Sequence, residues 1–478
     1  MPRVVVARRY RRGVADVDGA LVGFVLAGGG FKGAFEVGAL QVLVGTHALV
    51  PDVITATSAG AVLGTVLAQG RTLAECDRLV EVAKGDLMAM TDTSRVFSEQ
   101  PWLAGLDGTS MASRIHALVT EHGRPDLDDD WDQLEASAVT DLEVGGVDDG
   151  DTVTGPGRRS FGDHLHPFEK VGELVRTVRG DREHGVGRSV LTLDPFEESV
   201  RGGTDVGIAP LDFDALARPG VQLRLAVTAL KARSTRYITQ DGVLVDSDAL
   251  TPVPDAHLDV IDGMIASASV PGVFPPREIG GELYVDGGCL QNIPLQAAVD
   301  LGAERIFTLV ACPVKPAKKT VSLWAAESLG YLSTQIDNLA VVLPDGVTNT
   351  VIEPTIDVVG SFEVHIGLMN IDIDYGNMRA IEVLSGLDDA VVPIATAASD
   401  SITRHRQLCW QLEDHALSSG VLHDDVLARL RNLKRSVRAG VEARSALGFT
   451  APVGAERWSQ TWELHATTVP EHFPTDLA

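Results

Sequence analysis

The chain has 478 residues, 45% of them hydrophobic, and a formal net charge of -26 at pH 7, with a sequence pI near 4.8. That length carries one large α/β domain with a smaller one, or two medium domains, while the charge repels phosphate backbones and excludes nucleic acid as a natural partner. The longest apolar stretches, such as Leu21 to Ala27, fall far short of the roughly 20 residues that a membrane-spanning helix needs.

Residues 1–19 open with a basic segment (Arg8, Arg9, Arg11, Arg12), but Asp16 and Asp18 follow where a signal peptide would have its apolar core. They read as a disordered basic arm of a cytoplasmic protein. Residues 21–27 look like a buried strand, followed by a helix from about Phe31 to Val44. Val53 to Ala56 is a second strand, and a helix from Ser58 to Leu67 stops at Gly70. Thr72 to Glu75 has capping-box spacing for a further helix reaching Lys84. This alternation predicts an α/β fold whose mostly parallel central sheet is flanked by helices.

Residues 122–215 change character, with acidic and Gly-rich runs interrupted by a weak helical pattern from Phe168 to Val178. They read as a partly mobile insertion, either a lid or regulatory surface or a loop of no catalytic importance. Order returns with an apolar strand at Val221 to Leu230 and a possible hairpin partner at Arg236 to Thr239. His257 to Ser269 is expected to be helical, Leu283 to Val285 and Arg305 to Ala311 to be strands, and the pattern turns helical from about Asp388. The division drawn is therefore a main domain over 20–385 and a helical C-terminal extension over 386–478, its tail poorly patterned after Thr450. Within that extension, Leu427, Leu430, Val437 and Val441 share one helical face, with Arg429, Arg431, Lys434, Arg435 and Arg438 nearby. Contact with a membrane surface is one reading, and a helix packed on the main domain with a solvated basic face is the favoured one.

Two strand-to-helix turns carry the chemistry. Gly28-Gly29-Gly30-Phe31-Lys32-Gly33 ends the first strand and presents backbone N–H groups suited to a developing oxyanion. Ala56-Thr57-Ser58-Ala59-Gly60 ends the second, where a tight turn holds a serine exposed as a nucleophile must be. Taken alone, Ser58 is also readable as the N-cap of the helix behind it. Gly28, Gly30 and Gly33 equally match the G-x-G-x-x-G of dinucleotide sites. That reading needs an acid at the carboxyl end of the second strand, and the nearest one, Asp52, precedes that strand. None of the 13 histidines sits in a recognisable catalytic context, and His365 reads as a strand residue. Asp286 is the better base: a strand delivers it to the Gly287-Gly288 turn, where partial desolvation strengthens a carboxylate as a proton acceptor. A surface hairpin turn is the alternative for that triplet. The four cysteines (Cys76, Cys289, Cys312, Cys409) lie far apart and read as reduced, mostly buried thiols. No convincing metal-ligand spacing is present, and no cofactor is expected.

Together these segments resemble the patatin-like phospholipase family. The resemblance runs through Gly28 to Gly33, the turn around Ser58, the stretch Ala266 to Pro276, Asp286-Gly287-Gly288, Asn292-Ile293-Pro294 and Ile371 to Met378. It covers about 20–120 and 220–385 and skips the insertion. It implies a three-layer patatin-like fold and a serine acyl hydrolase of lipid or other acyl-ester substrates, acting in the cytoplasm with peripheral membrane contact. It also implies a Ser58–Asp286 dyad without histidine, an oxyanion hole from the Gly29 and Gly30 amides, and Lys32 beside that hole where arginine is commoner. Ala56 and Gly60 would flank the nucleophile, Ala56 standing where glycine is usual, and Asn292 would help hold the Asp286 loop unless it is simply a helix N-cap. An acyltransferase on the same dyad, a nucleotide-binding protein and a non-catalytic lipid-binding module are the rival readings.

Overall fold

The computed structural model describes residues 19–90, 93–100, 189, 191–204, 207–313, 340–361, 365–388, 390–420, 423–452 and 455. The basic arm, the 168–178 pattern and most of the C-terminal tail lie outside them.

β1 (Val22–Leu26) is the apolar strand expected near residue 21, with Phe24, Val25 and Leu26 fully buried. One 3-10 turn over Gly30–Lys32 leads into α1 (Gly33–Leu40). β2 (Val53–Ala56), α2 (Ala59–Leu67) and α3 (Leu73–Ala89) follow, and the Thr72–Glu75 capping box forms as its spacing requires. β3 (Ser98–Glu99) pairs with β4 (Leu191–Thr192), after which come α4 (Asp194–Val200) and α5 (Phe213–Ala217). The described residues from 191 on, part of the insertion drawn over 122–215, form regular elements tied to the main body. The Leu191 N–H donates to the Val273 carbonyl at 2.8 Å, and the Arg71 guanidinium donates to the carbonyls of Ala215 and Leu216 at 3.3 and 3.2 Å. Backbone groups satisfied in this way belong to the packed body.

β5 (Gln222–Ala229) and β6 (Ser234–Thr239) form the expected antiparallel pair, continued by β7 (Val243–Val245) and β8 (Pro252–His257). His257 thus lies in β8 rather than in the following helix. β8 ends the sheet, where its two prolines are tolerated, and the Asp259–Asp262 capping box sets the start of α6 (Val260–Ser267). Next come β9 (Arg277–Ile279), β10 (Glu282–Asp286), α7 (Leu295–Asp300), β11 (Arg305–Leu309) and β12 (Thr348–Ile352). The chain then passes into α8 (Ile366–Leu384), α9 (Val392–Ser419) and α10 (Asp424–Ala446).

Among the described residues the main sheet has ten strands, running β12-β11-β1-β2-β5-β6-β7-β8, with β10 also on β5 and β9 on β10. From β12 to β5 every neighbour is parallel. Side chains alternate across it: Phe24, Leu26, Ile54 and Leu225 join a core shared with α1, α2, α3, α6 and α8. Val25, Ala27, Val53 and Ile306 face a smaller core under α7. The fold is the three-layer α/β arrangement expected, with C-terminal helices added. Burying each large apolar side chain contributes on the order of 1.5–3 kcal/mol, so the parallel strands are the anchored part.

The C-terminal helices close on α8 through buried charge. Glu382 and Arg444, both fully buried, form an ion pair, and Arg379 joins them. Leu427, Leu430, Val437 and Val441 are buried while Arg431, Arg435 and Arg438 are exposed, so α10 is a packed helix with a solvated basic face. Lys434 does not belong to that face: it turns inward, 3.3 Å from Glu413. No helix among the described residues is long and apolar enough to cross a membrane.

Asp86 of α3 is a buried carboxylate that accepts the Ala209 N–H at 2.8 Å, and burial pushes its pKa from 3.8 up to about 6 despite that bond. The folded state therefore holds this proton more tightly than the unfolded chain, and folding stability falls as pH rises from about 4 to about 6. Asp86→Asn retains an acceptor for Ala209 and removes the titration. Its Tm relative to wild type is expected to rise across that window by the equivalent of roughly 1–2 kcal/mol and then to level off. A Tm difference independent of pH would contradict the assignment.

Candidate active site

β6 takes one edge of strand β5, and the other edge has two successive occupants. β2 lies along it as far as Ala56, opposite Leu225, and β10 takes the same edge from Asp286, opposite Val227. Those two positions are about 7 Å apart along a strand. The β2 chain must therefore leave the sheet just where β10 enters, and it does so at Ser58 by turning into α2. This places Ser58 and Asp286 at facing chain ends.

The turn is strained. Ser58 has φ 53° and ψ -122°, positive φ in a residue other than glycine, a conformation that costs on the order of 1–3 kcal/mol and clusters at functional sites. Ser58 does hold the N-cap position of α2, but its side chain makes no capping bond there. Ala56, in place of the usual glycine, keeps ordinary strand geometry, and α2 presents Gly64 to it, where a Cβ would stand 3.0 Å from the Ala56 methyl. Gly60 is required: a Cβ there would stand 2.6 Å from the carbonyl oxygens of both Leu26 and Ala27. α2 can leave β2 this tightly only because that side chain is absent.

Asp286 is fully buried and its Oδ1 accepts the Gly288 N–H at 2.6 Å, which fixes the carboxylate plane. The turn Gly287–Cys289 is thus an interior one, not the surface hairpin that its Asp-Gly sequence also allows. One short segment holds both partners. The Ser267 hydroxyl accepts the Ser58 N–H at 3.0 Å and donates to the Ala226 carbonyl at 2.6 Å, while the Ser269 carbonyl accepts the Asp286 N–H at 2.9 Å. Ser267 and Ser269 were not singled out from sequence. The available signal was two small polar residues at the end of an otherwise apolar helix.

The glycine loop closes the other side. A Cβ on Gly28 would lie 3.0 Å from the Ser58 Cβ, and one on Gly33, the first residue of α1, 3.7 Å from that of Ala59. Asn292 brackets Gly28 from both sides, its carbonyl accepting the Gly28 N–H and its Nδ2 donating to the Gly28 carbonyl, both at 3.3 Å. It is not a helix cap; Pro294 holds that position for α7. The Phe31 N–H is likewise occupied, donating to the Ser361 carbonyl at 3.1 Å. Between these two tied amides, those of Gly29 and Gly30 find no acceptor among the described residues. Gly30 has φ +61°, and a Cβ there would collide with the Ser361 carbonyl oxygen, so only glycine fits.

Lys32 is engaged by an acidic partner. It is 6% exposed, with Nζ 2.6 Å from Asp357 Oδ1. Burial disfavours its charge, but Cys312, Asp357 and Asp372 around it outweigh burial and drive its pKa up. Glu36, fully buried on α1, accepts the Ala27 N–H at 2.8 Å, and burial pushes its pKa well above the carboxylate range, with Asp372 adding to the rise. The loop thus rests on a small buried polar cluster that composition and spacing gave no hint of.

One expectation is corrected here, and the placing of Asp52 at the wrong end of the sheet for a dinucleotide site agrees with the structure. His365 is the N-cap residue of α8, not part of a strand, and its ring lies 4.9 Å from that of Trp410. Asp52, the acid nearest to a dinucleotide-type position, accepts the Val22 N–H at 2.8 Å at the amino end of the sheet, opposite the glycine loop.

The sequence profile of a family described as Patatin-like phospholipase matches residues 24–299, more than half of the chain, including the glycine loop, Ser58 and Asp286. Among solved structures, VipD from Legionella pneumophila aligns at 14% identity over 93% of this chain and 87% of its own, with a TM-score of 0.32. ExoU of the type III secretion system of Pseudomonas aeruginosa, in complex with SpcU, aligns at 16% identity over 90% of this chain and 69% of its own, with a TM-score of 0.23.

Removing the Ser267 hydroxyl would leave the Ser58 N–H and the Ala226 carbonyl without that bond inside the core. Ser267→Ala is expected to destabilise the fold by about 1–3 kcal/mol, read as a lower urea midpoint with unchanged slope. A midpoint equal to wild type would mean that the Ser58 amide does not depend on this hydroxyl.

Proposed function

The chain belongs to the patatin-like phospholipase family, and on that premise we propose that it is a carboxylic ester hydrolase of lipid acyl esters, working through a Ser58–Asp286 dyad in lipid degradation. The observation that carries this reading is the strained Ser58, held at positive φ where β2 breaks off and Asp286 enters beside it on β5. Ser58 Oγ attacks the ester carbonyl as Asp286 accepts the hydroxyl proton. Charge developing on the carbonyl oxygen is met by the Gly29 and Gly30 amides, already oriented by the bonds on either side of them. Asp286 returns the proton to the leaving alcohol, then takes one from the water that attacks the acyl-enzyme and passes it to Ser58 Oγ as the carboxylic acid departs. Burial of Asp286, with the Gly288 N–H fixing the orientation of its carboxylate, supports the role of base. Lys32, paired with Asp357, has a structural part in this scheme and does not touch substrate.

The test is labelling with a fluorophosphonate probe alongside hydrolysis of p-nitrophenyl butyrate and of phosphatidylcholine vesicles. Wild type is expected to take up label, and Ser58→Ala to lose both label and turnover. Asp286→Asn should lower kcat by roughly 10²–10⁴-fold while the protein stays folded. Full esterase activity in purified Ser58→Ala would rule the reading out.

A further inference from the structure

The oxyanion loop is braced by residues far outside the segment 24–299 that defines the family. After β12 the chain crosses in front of α1, and its stretch 355–361 meets the loop three times. The Ser361 carbonyl accepts the Phe31 N–H at 3.1 Å. That same carbonyl fills the space where a Gly30 side chain would be, against a residue at φ +61°. Asp357 Oδ1 holds Lys32 Nζ at 2.6 Å.

This strap is itself held from the C-terminal helices. Gln407 of α9 donates through Nε2 to the carbonyls of Asp357 at 3.3 Å and Val358 at 2.9 Å. At its start, the Thr355 N–H and hydroxyl meet the Tyr375 hydroxyl of α8 at 3.0 and 2.8 Å, and Tyr375 donates to Asp400 Oδ1 of α9 at 2.6 Å. Thr355 also bonds to Asp400 directly. The bonds from Tyr375, Asp400 and Gln407 thus tie the strap to α8 and α9.

We propose that Asp357 and Gln407 are positioning residues for the oxyanion hole, coupling the C-terminal helices to the orientation of the Gly29 and Gly30 amides. The inference rests on the acyl-hydrolase reading of Ser58. Glycine visits positive φ about as readily as negative φ, so its own preference does not fix the Gly30 amide; the direction must be imposed by what packs on it. Ser361 imposes it, and Asp357 and Gln407 set where Ser361 lies. Displacement of reacting groups by about 1 Å can lower a rate by about 10²-fold. A loosened strap is therefore expected to act on turnover more than on substrate capture.

The experiment uses the full-length chain with Asp357→Asn, Asp357→Glu and Gln407→Leu. p-Nitrophenyl butyrate hydrolysis is divided by the number of sites titrated with a fluorophosphonate, and Tm is recorded for each variant. Asp357→Asn is expected to lower kcat per titrated site by roughly 10- to 100-fold with KM within about threefold of wild type. Gln407→Leu should act in the same direction and more weakly, and Asp357→Glu should recover part of the loss. A merely structural role would lower Tm and the titratable fraction but leave kcat per site unchanged. That outcome in both Asp357→Asn and Gln407→Leu overturns the assignment while leaving the dyad intact. Absence of label and turnover in wild type overturns the acyl-hydrolase reading and this inference with it.

Discussion

The arrangement turns on a single edge of β5. A sheet edge offers one row of backbone donors and acceptors, and two strands cannot use the same stretch of it. β2 uses the stretch ending opposite Leu225, and β10 the stretch beginning opposite Val227. Ser58 is where this exclusion becomes a conformational demand, because its chain must turn out of the sheet within two residues. The strain in Ser58 is thus imposed by the sheet and offset by the large buried surface of the parallel strands. The short gap between the two strand ends is not left empty of partners. The Ser267 hydroxyl enters it, joining the Ser58 amide to the Ala226 carbonyl.

Buried charge does a second kind of work in a chain whose surface is strongly acidic. An ion pair taken out of water gives up most of its hydration, so its net contribution to stability is small, and removal of one partner is far more damaging than its presence is helpful. Arg444 with Glu382 is of this type, and Lys32 with Asp357 approaches it, the ammonium buried and the carboxylate 33% exposed. Their consequence is geometric: each ties segments that are far apart in sequence, at one register only. The Lys32 pair joins the first helix-opening turn to the segment after β12. The Glu382 cluster joins α8 to α9 and α10.

Local signals in the sequence carried the strands and turns of the site, and long-range ones were silent. β1, β2 and β5 are apolar runs whose burial on both faces leaves an unmistakable pattern, and the Thr72–Glu75 cap is written in four adjacent letters. The Gly28–Gly33 and Ser58 turns were visible because tight strand-to-helix turns restrict residue type at neighbouring positions. β8 was missed because Pro252 and Pro254 argue against a strand anywhere except at an edge, and being an edge is a property of the sheet. His365 looked like a strand residue because Val364 and Ile366 flank it, although it begins α8. Asp357, Ser361 and Gln407 had no local mark at all, since their significance lies in groups from about 50 to more than 300 residues away in the chain.

The glycine pattern Gly28, Gly30, Gly33 is shared by two chemistries, and charge separates them. A bound pyrophosphate carries its negative charge throughout, so a loop that holds one profits from a standing cation or from a helix N-terminus kept open to it. Here Lys32 turns into the interior and is neutralised by Asp357, and the chain as a whole carries -26. What the loop keeps is two amides fixed between two tied neighbours. Neutral dipoles of that kind do little to attract an anion from water through an acidic field. They stabilise strongly a charge that arises in place, on a substrate already bound, because their orientation is complete before the charge develops. The loop therefore suits a transient oxyanion better than a permanent one, and the serine it needs stands beside Gly28.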